Sequence, residues 1–234
     1  LEPVAGMPGY DDPQARVIAA TIDDVRVVCA YCVNGEAVDS DKYRYKLEWF
    51  ARLHAYLAAE RERHPKLVLT GDFNIAPDDR DVYNPESWAG KVLCSVPERQ
   101  AFDDLLELGL VDAFRQLHDG DGHYSWWDYR QGMFRRDKGL RIDHVLLSAP
   151  LAARCTSSVG GVEIWLDTLG NPLYPPRDPD GHSETTMPLL CNGMTAIAAH
   201  SRQRIGFSLQ APFSQGSDCK SIECRLLAIY SIKP

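Results

Sequence analysis

The chain has 234 residues, 44% of them hydrophobic and 25% charged, which is ordinary globular material able to bury one sizeable core. Its formal net charge of -8 excludes a uniformly basic nucleic-acid coat, but a metal site, or a basic face on an acidic body, can offset phosphate repulsion locally. No run approaches about 18 apolar residues and Leu1-Glu2-Pro3 lacks the basic-then-apolar order of a signal peptide, so a soluble cytoplasmic chain without a membrane partner is expected. Seven scattered cysteines fit reduced thiols better than a disulfide framework. Cys29 and Cys32 form a C-x-x-C inside a strand-like run, where residues three apart face opposite ways, which argues against a metal or redox pair.

In chain order, Val25 to Tyr31 is short, apolar and rich in β-branched residues, as a strand buried on both faces should be. After the loop Val33-Asn34-Gly35-Glu36, Ser40-Asp41 caps a helix with apolar Tyr43, Leu47, Phe50, Leu53, Leu57 and Ala58, which ends before Pro65. Lys66 to Thr70 is a second buried-type strand leading straight into Gly71-Asp72-Phe73-Asn74. A Pro-, Asp- and Asn-rich loop covers 77–97, and Glu98 to Leu108 reads as a helix stopped by Gly109. Leu110 to Phe114 begins another short element. Beyond the aromatic stretch Tyr124 to Tyr129, Leu140 to Ser148 is strand-like with Asp143 embedded in it. Strand, helix, strand, helix, strand implies α/β layers, with parallel and mixed sheets equally compatible. No internal repeat is visible. Past Val162 the texture changes: 171–181 is mostly turn formers, and the last fifty residues follow neither period.

Asp72 and Asn74, at i and i+2 past a strand, present hard oxygens that suit a divalent cation, a water or a phosphorane-like transition state; an Asx turn explains the same pair equally well. Asp143 needs a partner to be buried, either an imidazole that it orients or an ion pair with Arg141 or a neighbouring strand. Tyr31 at its strand end could offer a phenol to phosphate or simply pack. Trp126 and Trp127 either stack on a base or fill a core. Around them Arg130, Arg135, Arg136, Lys138 and Arg141 form a phosphate footprint or solvated surface charge.

These pieces occur in a recognisable order: A-Y-C-V-N-G-E (30–36), S-D-K-Y (40–43), G-D-F-N-I-A-P (71–77), G-L-V-D-A-F-R (109–115), Y-S-W-W-D-Y-R (124–130) and G-L-R-I-D (139–143). From about Pro8 to Cys155 the chain resembles the exonuclease III family of abasic-site endonucleases. The S-D-K-Y and S-W-W-D-Y-R segments separate it from sphingomyelinases and inositol phosphatases, which share G-D-x-N. The resemblance implies a four-layered α/β sandwich of the DNase I-like kind, incomplete here, and a monomeric Mg2+-dependent hydrolase, with Mn2+ as a possible substitute. Its partner is double-stranded DNA with abasic sites or 3′ ends. By resemblance Asp72 activates the attacking water, Asn74 stabilises the transition state and shares the metal with Asp72, Tyr31 is the site phenol, and Asn34 contacts phosphate. Asp143 would hold a catalytic histidine in its tautomer. Trp126, Leu140 and Ile142 would line a pocket for the extrahelical abasic sugar, with Arg130 beside them facing DNA.

Departures are as informative. Nothing before Tyr31 corresponds to the family's asparagine strand or its metal-binding glutamate, so roughly the first third is expected to be missing. Val33 stands where proline is usual, and His144 where an apolar residue is usual. The family's S-D-H-A-P is absent, and His182 is its only nearby substitute. Glu184-Thr185-Thr186-Met187-Pro188 can be encoded by a string that, shifted by two nucleotides, permits Asp-Asp-His-Ala. A frameshift between about Cys155 and Pro179 is therefore expected, dividing the chain into a partial endonuclease/exonuclease/phosphatase domain (1–162) and an aberrant tail (163–234), with a non-catalytic fragment or a small-molecule or lipid phosphoesterase as the rival readings.

Overall fold

The computed structural model describes residues 3–12, 14, 16–128 and 130–159, and beyond them the backbone of the strand segments 163–167, 186–191, 194–201, 204–210 and 225–226. A two-residue strand β1 (Val4–Ala5) leads to β2 (Val17–Ile22) and β3 (Val25–Tyr31), which pair as an antiparallel hairpin. Helix α1 (Asp41–Arg63) starts where the Ser40 hydroxyl accepts the Tyr43 N–H at 3.0 Å, carries Asp41 in its first turn and Arg61 and Arg63 in its last, and stops at His64 ahead of Pro65. Its buried face is rotated from the sequence expectation. Lys46, Trp49 and Glu60 are inside with Tyr43, Phe50, Leu53 and Leu57, whereas Leu47 and Ala58 are only half-buried.

β4 (Leu67–Asp72) follows, then the segment read from sequence as loop, which contains a 3-10 turn at Asp79–Asp81 and a one-turn helix α2 (Pro85–Trp88). α3 (Val96–Glu107) begins at a reciprocal Ser95/Glu98 capping box and ends before Gly109, whose φ of +78° suits the helix stop. β5 (Leu110–Asp112), α4 (Ala113–Leu117), the hairpin β6 (Trp126–Trp127) and β7 (Gly139–Leu140), β8 (Asp143–Ser148) and α5 (Ala149–Ala152) complete this part. The stretch 140–148 is thus two strands, broken at Arg141-Ile142.

The first sheet has the order β1-β2-β3-β4-β8-β5 and is mixed: β3 and β4 are parallel, joined by the α1 crossover, and the other pairs are antiparallel. β9 (Cys155–Val159), β10 (Glu163–Asp167), β11 (Thr186–Cys191), β12 (Met194–Ser201), β13 (Arg204–Gln210) and β14 (Arg225–Leu226) form a second, antiparallel sheet in the order β14-β11-β12-β13-β10-β9. β11 lies against β2 and β3, and β12 against β4. The architecture is α/β: a helix layer of α1 and α3, the mixed sheet, then the second sheet. Among the described residues no helix covers the outer face of that second sheet.

Alternation along the strands sorts the core. Val28, Ala30, Leu67, Leu69 and Leu146 pack beneath Trp49, Phe50, Leu53, Phe102 and Leu105 of the helices, while Val27, Cys29, Val68, Val145 and Leu147 face the other way. Cys29 and Cys32 fall in these opposite cores, so they are two separate thiols.

Close pairing of β3 with β4 depends on Gly71. Its φ is +146°, and a Cβ there would lie 1.8 Å from the Ala30 carbonyl oxygen. Gly71→Ala must push the two strands apart beside Asp72. We expect about 1–3 kcal/mol of destabilisation, read from urea unfolding; an unchanged midpoint would contradict the close approach.

A buried ionic network sits at the helix-side edge of β8. Arg141 donates from Nε to Asp81 Oδ1 (2.7 Å) and from Nη2 to Asp81 Oδ2 (3.1 Å) and Asp112 Oδ2 (2.8 Å). Its Nη1 reaches His144 Nδ1 at 3.0 Å, and His144 Nε2 donates to the Ile75 carbonyl at 2.9 Å. Arg115 also pairs with Asp81. His144, packed against the rings of Phe73 and Phe102, is the acceptor that completes the Arg141 fork, which explains a polar residue at an otherwise apolar position.

Candidate active site

Three residues end in one row across the first sheet. In the ladder register Tyr31 of β3 opposes Asp72 of β4, and Asp72 opposes Asp143 of β8, which places neighbouring Cα atoms about 5 Å apart. All three share strand parity with Cys29, Val68 and Val145, so their side chains project on the face turned toward the second sheet.

Past the strand, Asn74 adopts φ +49°, a conformation in which its own N–H donates to Asp72 Oδ1 at 2.7 Å. This is the Asx turn foreseen as the simpler explanation, and it coexists with a site. The turn aims the Asn74 amide inward, where Nδ2 donates to the Cys32 carbonyl (2.9 Å) and Oδ1 accepts from Asn34 Nδ2 (3.1 Å). Lys46, fully buried on α1, donates to the Asn74 carbonyl (2.6 Å) and the Asn34 carbonyl (3.2 Å) and pairs with Glu98. One ammonium therefore holds both asparagine loops in place. Burial lowers the Lys46 pKa against the opposing pull of Glu98.

Asp143 accepts no ion pair from Arg141, whose guanidinium is committed to Asp81 and Asp112. Its neighbour is Asp72. Burial, and after it the Asp143 charge, pushes Asp72 well above the ordinary carboxylate range, with the Asn74 N–H and the Lys46 charge pulling it down. Burial lifts Asp143 to about 6 against the opposing Ser125 hydroxyl. Ser125 also accepts the backbone N–H groups of Ile142 (3.0 Å) and Asp143 (3.1 Å), which pins the turn from β7 into β8.

Two adjacent residues thereby titrate with opposite sign. His144 is held down to about 4 by burial and by Arg141, so its contribution to stability is lost as pH falls from 6.5 towards 4, about 3 kcal/mol in all. Asp143, raised from 3.8 to about 6, contributes stability that is complete below 3.8 and lost as pH rises through 6. In metal-free protein the two act in opposite directions. Asp143→Asn should unmask the histidine: its melting temperature, scanned in EDTA, should fall more steeply than the parent's between pH 6.5 and 4.5, and parallel curves would contradict this assignment.

The pocket residues lie alongside. Leu140 and Ile142 are buried with Ala76, Val82, Leu93 and Cys94, and the Ile142 carbonyl accepts the Phe73 N–H at 2.9 Å, which ties this wall to Asp72. Trp126 pairs with Leu140 across the β6–β7 hairpin and is 36% exposed. Trp127 sits edge-on to Phe134, with ring centroids 5.1 Å apart. Arg130 is solvent-facing on the same hairpin loop and is paired with Asp128.

Tyr31, Asn34, Asp72, Asn74 and Asp143 are thus brought together, with Leu140, Ile142 and Trp126 next to them and Arg130 further out. His182 lies outside the described residues, as does most of the stretch from 160 to 185. Lys46 and Ser125 were missed. Lys46 occupies an inward helical position, three residues from Tyr43 and four from Phe50, and a lysine in that stripe was the available signal. For a cation, the described residues offer the second Asp72 oxygen and the remaining lone pair of Asn74 Oδ1, beside two carboxylates short of positive charge, which fits a hard divalent ion that keeps several waters. Among the described residues no group of three or more His, Cys, Asp or Glu side chains surrounds one point. No described helix is long and apolar enough to cross a membrane.

Residues 2–164 match the Endonuclease/Exonuclease/phosphatase family. Exodeoxyribonuclease III of Haemophilus influenzae is 35% identical over 157 residues, covering 62% of this chain and 59% of the relative. The DNA repair nuclease APEX1 of Danio rerio is 34% identical over 150 residues, 63% of this chain and 48% of that protein. The chain therefore spans roughly half to three-fifths of these relatives. A solved 3′ phosphatase from Neisseria, bound to a product DNA hairpin, superposes with a TM-score of 0.66 at 41% identity, covering 89% of this chain and 70% of that one. An AP endonuclease from Archaeoglobus fulgidus gives 0.62 at 32% identity, covering 74% and 66%. With the row of Tyr31, Asp72 and Asp143 in register and the family match extending over the whole first sheet, the chain belongs to the Endonuclease/Exonuclease/phosphatase family, in its exonuclease III branch.

Proposed function

We propose that the protein hydrolyses DNA phosphodiesters with Mg2+, which Mn2+ can replace, cutting 5′ to abasic sites and trimming 3′ ends in base-excision repair as a cytoplasmic monomer. The observation that carries this reading is the placement of Tyr31, Asp72 and Asp143 in one inter-strand row with the Asn34–Asn74 pair at its end. The names of the relatives, a 3′ phosphatase, exonucleases and AP endonucleases, supply the substrate class.

Asp72, kept basic by its desolvated setting, takes the proton of the attacking water. The water oxygen bonds to phosphorus as the bond from phosphorus to O3′ breaks, with no covalent enzyme intermediate. The Tyr31 phenol and the Asn74 and Asn34 amides donate to the phosphoryl oxygens as charge accumulates on them. Asp143 orients an imidazole, the role its position has in the family. Asp72 and Asn74 hold the cation, which when bound polarises the phosphate and lowers the pKa of bound water. Trp126, Leu140 and Ile142 receive the extrahelical sugar and Arg130 faces the backbone.

A second reading, binding without cleavage, is favoured by the lack of a three-ligand acidic cluster among the described residues. Incubating the full chain with an abasic-site duplex and a 3′-phosphorylated duplex, with Mg2+ and with EDTA, separates the two. EDTA-sensitive nicking or phosphate release supports the hydrolase. A retarded but intact duplex supports the second reading, and neither cleavage nor retardation would sink both.

A further inference from the structure

Arg16 immediately precedes β2 and is 7% exposed. Among the described residues it makes no ion pair, although burying a guanidinium without a carboxylate is costly. Its contacts converge instead on one residue. The Tyr31 N–H donates to the Arg16 carbonyl (2.8 Å), Arg16 Nη1 donates back to the Tyr31 carbonyl (3.1 Å), and the guanidinium carbon stands 5.4 Å from the centroid of the Tyr31 ring. Nη2 reaches Gln14, and Nε is buried with no hydrogen-bond partner. The charge is close enough to draw down both Asp72 and Cys32.

A surface arginine closing a ladder would put its head in water. This one spends its charge on a tyrosine ring and on that tyrosine's own carbonyl, at the point where β3 delivers the phenol to the acidic row. We infer that Arg16 is a positioning residue for Tyr31: it clamps the backbone and stacks on the ring, so that the phenol is held in one orientation beside Asp72 and, with a cation over its face, donates a stronger hydrogen bond. The inference rests on Tyr31 being part of the proposed site, but its test does not require cleavage.

The full chain is labelled with 3-fluorotyrosine and the Tyr31 fluorine signal is identified by its loss in Tyr31→Phe. In the parent, the two 180° flip positions of the fluorinated ring, which leave the phenol oxygen in place, should give separate resonances in slow exchange. Arg16→Gln should speed ring reorientation at Tyr31 by tenfold or more while the signals of Tyr43 and Tyr56 stay put, and Arg16→Lys should give intermediate exchange. An unmoved Tyr31 signal in Arg16→Gln, or all tyrosines changing together, would overturn the assignment. If Arg16→Gln does not fold, the ring-current shift of the Arg16 δ protons decides: it should persist in Tyr31→Phe and vanish in Tyr31→Leu, and its absence from the folded parent would equally overturn the inference. Where the parent cleaves DNA, Arg16→Gln should lower kcat about tenfold with KM little changed; a change in KM alone would point to mere charge attraction for DNA.

Discussion

Asp72→Asn should reduce cleavage of an abasic-site duplex by at least about a thousandfold and, in the same protein, raise the stability of the metal-free form at neutral pH. Both effects have one origin. Asp72 is half-buried and desolvated beside Asp143 in the adjacent ladder position, and its carboxylate is compensated chiefly by the Asn74 N–H and by the more distant Lys46 and Arg16 charges. A group whose folded pKa is raised opposes folding wherever it must ionise, so stability from Asp72 is complete in acid and lost as pH rises through its folded value. Asparagine keeps the oxygen that accepts the Asn74 N–H and discards the charge. It also discards the carboxylate proposed to take the proton of an attacking water. Nicking rates with Mg2+ and melting curves in EDTA check the two halves separately. A variant that cuts at the parental rate would remove Asp72 from the chemistry, and one that melts earlier would refute the electrostatic account.

Arg141→Met should destabilise the fold by about 3–5 kcal/mol, the range found when one member of a buried ion pair is removed and its partners remain. The partners here are Asp81 and Asp112, both buried, and the neutral His144, which would lose its donor at Nδ1. Asp112 also caps α4 through the N–H groups of Phe114 and Arg115, so its disturbance reaches the helix. Urea denaturation gives the magnitude. Restoring balance with a second change, Asp81→Asn in the Arg141→Met background, should recover part of the loss. A single variant as stable as the parent would mean that Arg115 alone neutralises the cluster.

Local signals were readable in this chain wherever the physics was local. Ser40 ahead of an amphipathic run predicted α1, Gly109 predicted the end of α3, and the apolar β-branched run predicted β3 to the residue, because caps and strand burial act within one or two turns of the chain. The helical stripe was misjudged by one position because Lys46 and Glu60 are buried through partners 52 and 34 residues away, Glu98 and Arg26. β2 went unnoticed beside the stronger β3 signal, and β11 to β13 lie in sequence without a clean period.

From sequence alone came the α/β class, the family and the choice of Tyr31, Asn34, Asp72, Asn74 and Asp143 as candidates, since a motif needs only the order of residues. Only the tertiary structure decided that β3 and β4 run parallel, that Asp143 stands against Asp72 rather than Arg141, that Lys46 and Ser125 hold the Asn74 and Asp143 backbones, and that Arg16 lies against Tyr31. Those relations join residues 15 to 71 positions apart, and nothing in the chain's local chemistry records which distant partner a buried charge will meet.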